Sequence, residues 1–94
     1  MQIKDVIWLD AIVEKLDAKH HVQSDEVLEV LEGEPHFRFA EKGYREGENV
    51  YTASGQTEAG RYLIVYFVYR RDRQALILSA RDMTRAERKL YERQ

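Results

Sequence analysis

Arg81 ends an apolar run, Ala75-Leu-Ile-Leu-Ser-Ala-Arg81, and stands at the mouth of a basic helix that carries Glu87, Arg88 and Tyr91. A strand end beside a helix start can hold a charged side chain next to a ligand without burying it, which makes Arg81 the first candidate functional residue. Glu87 and Tyr91 are four residues apart, so a helix puts them on one face with Arg88 beside them. Arg, Lys, Glu, His and Tyr are side chains that can cleave RNA without a metal. Attack of a ribose 2′-hydroxyl on its own phosphate needs a base, a cation for the phosphorane's developing charge and an acid for the leaving 5′-oxygen. An aromatic ring could also stack an unpaired base. A plainer reading pairs Arg81 with Asp82 or Glu87 and uses Tyr91 to pack the helix end. The residues alone leave both open.

Other chemistries fit less well. Without cysteine there is neither a disulfide framework nor a thiolate. His20 and His21 are adjacent and diverge by roughly 100° on a helix, so no metal site and no cofactor are expected. Phosphate-binding glycine motifs are missing, and Ser54-Gly55 lacks the surroundings of a nucleophile elbow. Lys19, His20 and His21 have a simple alternative role, as cations that complement a helix C-terminus.

The 94 residues suit one small domain over residues 1–94. Net charge is −2, yet residues 70–94 hold eight Lys or Arg against four Asp or Glu, and residues 1–69 hold seven against thirteen. That asymmetry fits a basic surface meeting phosphate on one side. The opening residues mix apolar with charged side chains, and no run approaches the roughly 18 apolar residues of a membrane span. A cytoplasmic protein with no membrane contact is expected.

These side chains must be positioned by elements readable from periodicity. Ile3 to Leu9 reads as a strand, and Asp10 as the N-cap of a helix running to about Lys19 with Ile12, Val13 and Leu16 inward. Ser24 reads as the cap of a second helix, with Val27, Leu28 and Leu31 inward and Gly33 and Pro35 as its stop. Strands follow at His36 onward, Asn49 to Gln56, Arg61 to Tyr69 and Ala75 to Arg81. The third of these is apolar on both faces and should be central. Thr84 and Glu87 make a capping box that starts the last helix, with Ala86 and Leu90 docking it on the sheet. The expected fold is a small α+β domain: an antiparallel sheet of about four to five strands, two N-terminal helices and one C-terminal helix.

Trp8-Leu9-Asp10, Lys19-His20-His21-Val22, Gly55 and Ile77-Leu-Ser79-Ala80-Arg81 with Thr84, Glu87, Arg88 and Tyr91 are the pieces by which the chain resembles the BrnT family of type II toxin–antitoxin toxins. The resemblance spans nearly the whole length, and the last block is its most specific part. It implies a RelE-like fold, endoribonuclease activity that halts translation, a cognate BrnA-like DNA-binding antitoxin, and repression of the operon by the complex. Many family members have Gly where His21 stands, and an Arg near the strand start where this chain reads Asn49-Val50-Tyr51. Arg61 or Arg70 could replace that cation, and Arg70 is favoured by its place at the end of the central strand. The combined reading is a metal-independent ribonuclease toxin. Arg81 and Arg70 stabilise the phosphorane, Lys19 or His20 binds phosphate, Arg61 and Arg88 add RNA contacts, and Glu87 or Tyr91 helps proton transfer. RNA, the antitoxin and a second copy of the chain are the expected partners. The alternatives are a catalytically silent RNA- or protein-binding module and, supported only by the tyrosines, a small-molecule enzyme.

Overall fold

A computed structural model describes residues 1–94. Its elements are β1 (Asp5–Ile7), α1 (Asp10–His20), α2 (Ser24–Glu32), β2 (His36–Glu41), β3 (Val50–Gln56), β4 (Tyr62–Tyr69), β5 (Gln74–Asp82) and α3 (Arg85–Glu92). The architecture is α+β, as the periodicity predicts. Strands β2 to β5 form an antiparallel meander, and β1 adds a short parallel edge beside β5, giving the order β1-β5-β4-β3-β2.

One face of the sheet is the core. Leu63, Val65 and Phe67 of β4 are fully buried and meet Leu16 of α1, Val22 after it, and Val27 and Val30 of α2. Apolar residues at every second strand position thus fall under two amphipathic helices. A Cβ on Gly55 would stand 3.2 Å from the Val30 side chain, so the missing side chain lets α2 lie close over β3.

Several local expectations shift. β1 covers three residues, fewer than the apolar run Ile3 to Leu9. Leu9, not Asp10, caps α1: its carbonyl accepts from Ile12 and Val13 N–H, and Asp10 enters the first turn, where its charge faces the positive helix end. Gln23 takes the place expected of Ser24, because its backbone N–H donates to Glu26 Oε1 at 3.0 Å and its side-chain amide to Asp17 Oδ1 at 2.7 Å. In α2 the fully buried pair is Val27 and Val30, with Leu28 and Leu31 half-buried. His21 ends α1 in the left-handed region at φ 52°, a conformation that favours glycine.

The largest difference concerns α3. Its capping box forms as expected, with Thr84 Oγ1 accepting from Glu87 N–H at 3.2 Å and Glu87 Oε1 accepting from Thr84 N–H at 2.8 Å. Ala86 and Leu90 do not dock the helix, however: Leu90 is 46% exposed, and no α3 residue is fully buried. Glu87 and Tyr91 face the sheet instead. The cap and an ion pair to β5 hold Glu87 inward, and that fixes the helix rotation.

Candidate functional site

The sheet face opposite α1 and α2 is polar and only partly covered. Alternation sends His36 and Arg38 of β2, Thr52 and Ser54 of β3, and Ile64 and Tyr66 of β4 to this side. Two cross-strand rows result, His36–Ser54–Ile64–Arg81 and Arg38–Thr52–Tyr66–Ser79. α3 lies along them, and a cleft of about 220 Å³ remains, lined from the sheet by His36, Arg38 and Tyr66 and from α3 by Glu87 and Tyr91.

Arg81 reaches this face through a bulge. Ala75 and Ile77 point into the core, and strict alternation would send Ser79 and Arg81 the same way. The register slips by one at Leu78, since Phe67 pairs with Ile77 and Tyr66 with Ser79. Ala80 becomes the buried residue, and Ser79 and Arg81 turn outward. The extra residue therefore decides which side of the sheet receives the arginine.

Once there, Arg81 is held from several directions. Nη1 and Nη2 donate to the two Glu87 oxygens at 2.7 and 2.9 Å, Nη1 also reaches the Asp82 carbonyl at 3.2 Å, and Nη2 donates to Tyr66 Oη at 3.1 Å. The plainer reading of Arg81, a pairing with Glu87, is thus part of the structure. Arg81 hydrogen bonding holds the Glu87 carboxyl down at about 2, aided by the Thr84 N–H and opposed by partial burial. Glu87 raises the Arg81 guanidinium further above its ordinary value. With both oxygens engaged, Glu87 is an ionised anchor for Arg81, a poor fit to the proton carrier expected of it. Tyr91 packs on His36 with ring centroids 4.6 Å apart and planes tilted by 40°, and meets Tyr62 edge-on at 5.9 Å. Arg88 lies 4.0 Å over the Tyr62 ring and donates to Glu92 at 3.0 Å, on the outer flank of α3.

The other predicted residues are placed elsewhere. Arg70 follows the last residue of β4, and Arg81 pairs near its first, so about 20 Å of strand separates them. They cannot share one phosphate. Arg70 sits instead with Arg71 and Arg73 at the far end of the sheet.

Arg61 is on the α1 side of the sheet. It donates from Nε and Nη2 to Asp82 at 2.8 and 3.1 Å, to the His20 and His21 carbonyls at 2.8 and 2.7 Å, and to Glu26 at 3.2 Å. All of its N–H directions are used, so it braces three elements and keeps none for RNA. Lys19 is exposed and His20 half-buried at the end of α1, His20 near Asp82 and both outside the cleft lining.

Sequence reasoning missed His36 and Arg38, and counted Tyr66 only among the tyrosines (Tyr62, Tyr66, Tyr69) behind the small-molecule alternative. Arg38 lines the cleft from the edge strand with no ion pair or hydrogen bond to its side chain, and His36 Nδ1 is buried with no partner. The alternation His36-Phe-Arg38-Phe put both on the face away from the phenylalanines, and that was the available signal. No three His, Asp or Glu side chains converge as a ligand set.

A family model described as the ribonuclease toxin, BrnT, of type II toxin–antitoxin systems matches residues 8–87. The matched span includes the bulged strand, Arg81 and Glu87. No curated protein matches the chain.

Proposed function

Because the chain belongs to the BrnT family of ribonuclease toxins of type II toxin–antitoxin systems, we propose that it cleaves RNA without a metal in the cleft under α3. Cleavage there would inhibit translation until a cognate BrnA-like, DNA-binding antitoxin covers the same face. The observation that carries this reading is the pair of guanidinium groups on one open face: Arg81, fixed by Glu87 and Tyr66, and Arg38, free at the rim. A phosphodiester entering the cleft meets Arg38 as its unpaired cation, while Arg81 supplies positive charge already oriented for the phosphorane. Attack by O2′ forms the new O2′–P bond, breaks P–O5′ and leaves a 2′,3′-cyclic phosphate and a 5′-hydroxyl. Lys19, His20 and Arg88 lie outside the cleft and would extend contact along the RNA backbone. Charge complementarity favours an antitoxin segment rich in Asp or Glu over the Arg-lined face.

The test is incubation of the protein and Arg81→Ala with mixed-sequence RNA in excess chelator, reading the product ends. Cyclic phosphate ends from the wild type alone support the reading, provided a thermal melt shows the variant folded. The Glu87 carboxylate that already neutralises Arg81 favours a second reading, a binding module without activity. Salt-dependent RNA binding with the RNA left intact would select it.

A further inference from the structure

We propose that Tyr66 is the proton donor of the cleft, passing its phenolic proton to the 5′-oxygen as that oxygen leaves phosphorus; the inference rests on the ribonuclease reading above. Tyr66 Oη accepts a hydrogen bond from Arg81 Nη2 at 3.1 Å, and no acceptor in the protein takes its own proton. Tyr66 is one of the residues that line the cleft. Its acceptor side is therefore filled by a cation, and its donor side is left for whatever occupies the cleft.

The surroundings suit the transfer. The Arg81 guanidinium carbon lies 5.7 Å from the Tyr66 ring centroid, and Glu87 holds that guanidinium by two bonds. Negative charge left on the phenolic oxygen would meet a donor already in place, with no rearrangement at the moment of reaction. Arg38 is in the same cross-strand row, one strand beyond Thr52, so its backbone is about 9–10 Å from that of Tyr66. A phosphate over Thr52 is within reach of both side chains. Glu87 is a poor alternative donor, because both of its oxygens accept bonds from Arg81 and Thr84.

The step balances. O2′ bonds to phosphorus as the P–O5′ bond breaks, and the Tyr66 proton goes to O5′. The 2′-hydroxyl proton passes to solvent water, and the phenolate regains a proton from water. Tyr66 is in this scheme the catalytic residue, and Arg81 acts on the leaving group through it.

Tyr66→Phe removes the hydroxyl alone and keeps the ring. Its kcat is compared with that of the wild type on RNA and on a ribonucleoside 3′-(4-nitrophenyl phosphate), whose leaving group departs without a proton. The expected result is a fall of about 10²–10⁴-fold on RNA and a fall of less than about tenfold on the nitrophenyl ester, with unchanged thermal melts. An equal fall on both substrates, or no fall on RNA, would overturn the assignment. A wild type that leaves RNA intact fails the ribonuclease reading itself and removes this one with it.

Discussion

Arg61 and Asp82 meet as a forked pair, Nε to Oδ1 at 2.8 Å and Nη2 to Oδ2 at 3.1 Å, directly after Arg81, which the bulge at Leu78 has turned to the other side of the sheet. β5 thus ends with Arg81 on the α3 side of the sheet, bonded to the cleft residues Tyr66 and Glu87, and Asp82 facing the helical layer. The remaining Arg61 donors hold the His20 and His21 carbonyls and Glu26 at the start of α2. One guanidinium thereby ties the end of α1 and the start of α2 to the strand that carries Arg81.

Arg61→Ala should destabilise the fold by about 2–3 kcal/mol, since it strips charge-assisted bonds from two carbonyls and two carboxylates. Arg61→Lys should recover less than half of that, because an ammonium cannot match the fork. Urea unfolding measures both, as a lower midpoint at constant slope. A midpoint equal to that of the wild type would show the clamp to be dispensable.

The Arg81–Glu87 pair makes stability depend on pH. Glu87 falls from an ordinary 4.5 to about 2 in the folded protein, chiefly through the bond from Arg81. A carboxylate with a depressed folded value contributes stability above its unfolded value and loses it as pH falls through the folded one. The window is therefore about pH 4.5 down to 2. Wild type should exceed Glu87→Gln by about 1–2 kcal/mol at pH 6, discounted for partial exposure of the pair, and converge on it near pH 2. Denaturant titrations across that range check the convergence; a constant gap would refute it.

Rotation of α3 has its own consequence. Leu90, 46% exposed, should cost less than about 1 kcal/mol on replacement by alanine, whereas fully buried Ile77 should cost about 2–5 kcal/mol. Thermal melts of the two variants suffice, and a Leu90→Ala loss as large as that of Ile77→Ala would mean that Leu90 does anchor α3.

Much of this arrangement was legible in the sequence where the signal is local. The Thr84–Glu87 box and the two-faced apolar run of β4 each act over a few residues, and each is found within a residue or two of its expected place. The bulge at Leu78 was not legible, because Ala75-Leu-Ile-Leu-Ser-Ala presents apolar residues in either phase and only pairing with β4 selects one. α3 was misread for a related reason: Leu90 looks like its anchor until Glu87 is tied to a strand. The separation of Arg70 from Arg81 was implicit in the hairpin, since antiparallel register places the end of β4 beside the start of β5. Arg38 and His36 stood in plain alternation, but nothing local shows that their face of the strand is the one left open beside α3.

Placement of Arg38 and Arg70 also separates them by function. Arg38 lines the cleft without a partner, and Arg70 lies at the opposite end of the sheet, so only the first should touch the reacting phosphate. Each phosphate contact on single-stranded RNA contributes about 0.7 to the slope of log affinity against log salt. With a 2′-O-methyl RNA that cannot be cleaved, Arg38→Ala should flatten the slope by about that amount and weaken binding at low salt. Arg70→Ala should leave the wild-type line unchanged. The reverse result, a flattened slope for Arg70→Ala alone, would move the RNA to the far end of the sheet and away from Arg81, Tyr66 and α3.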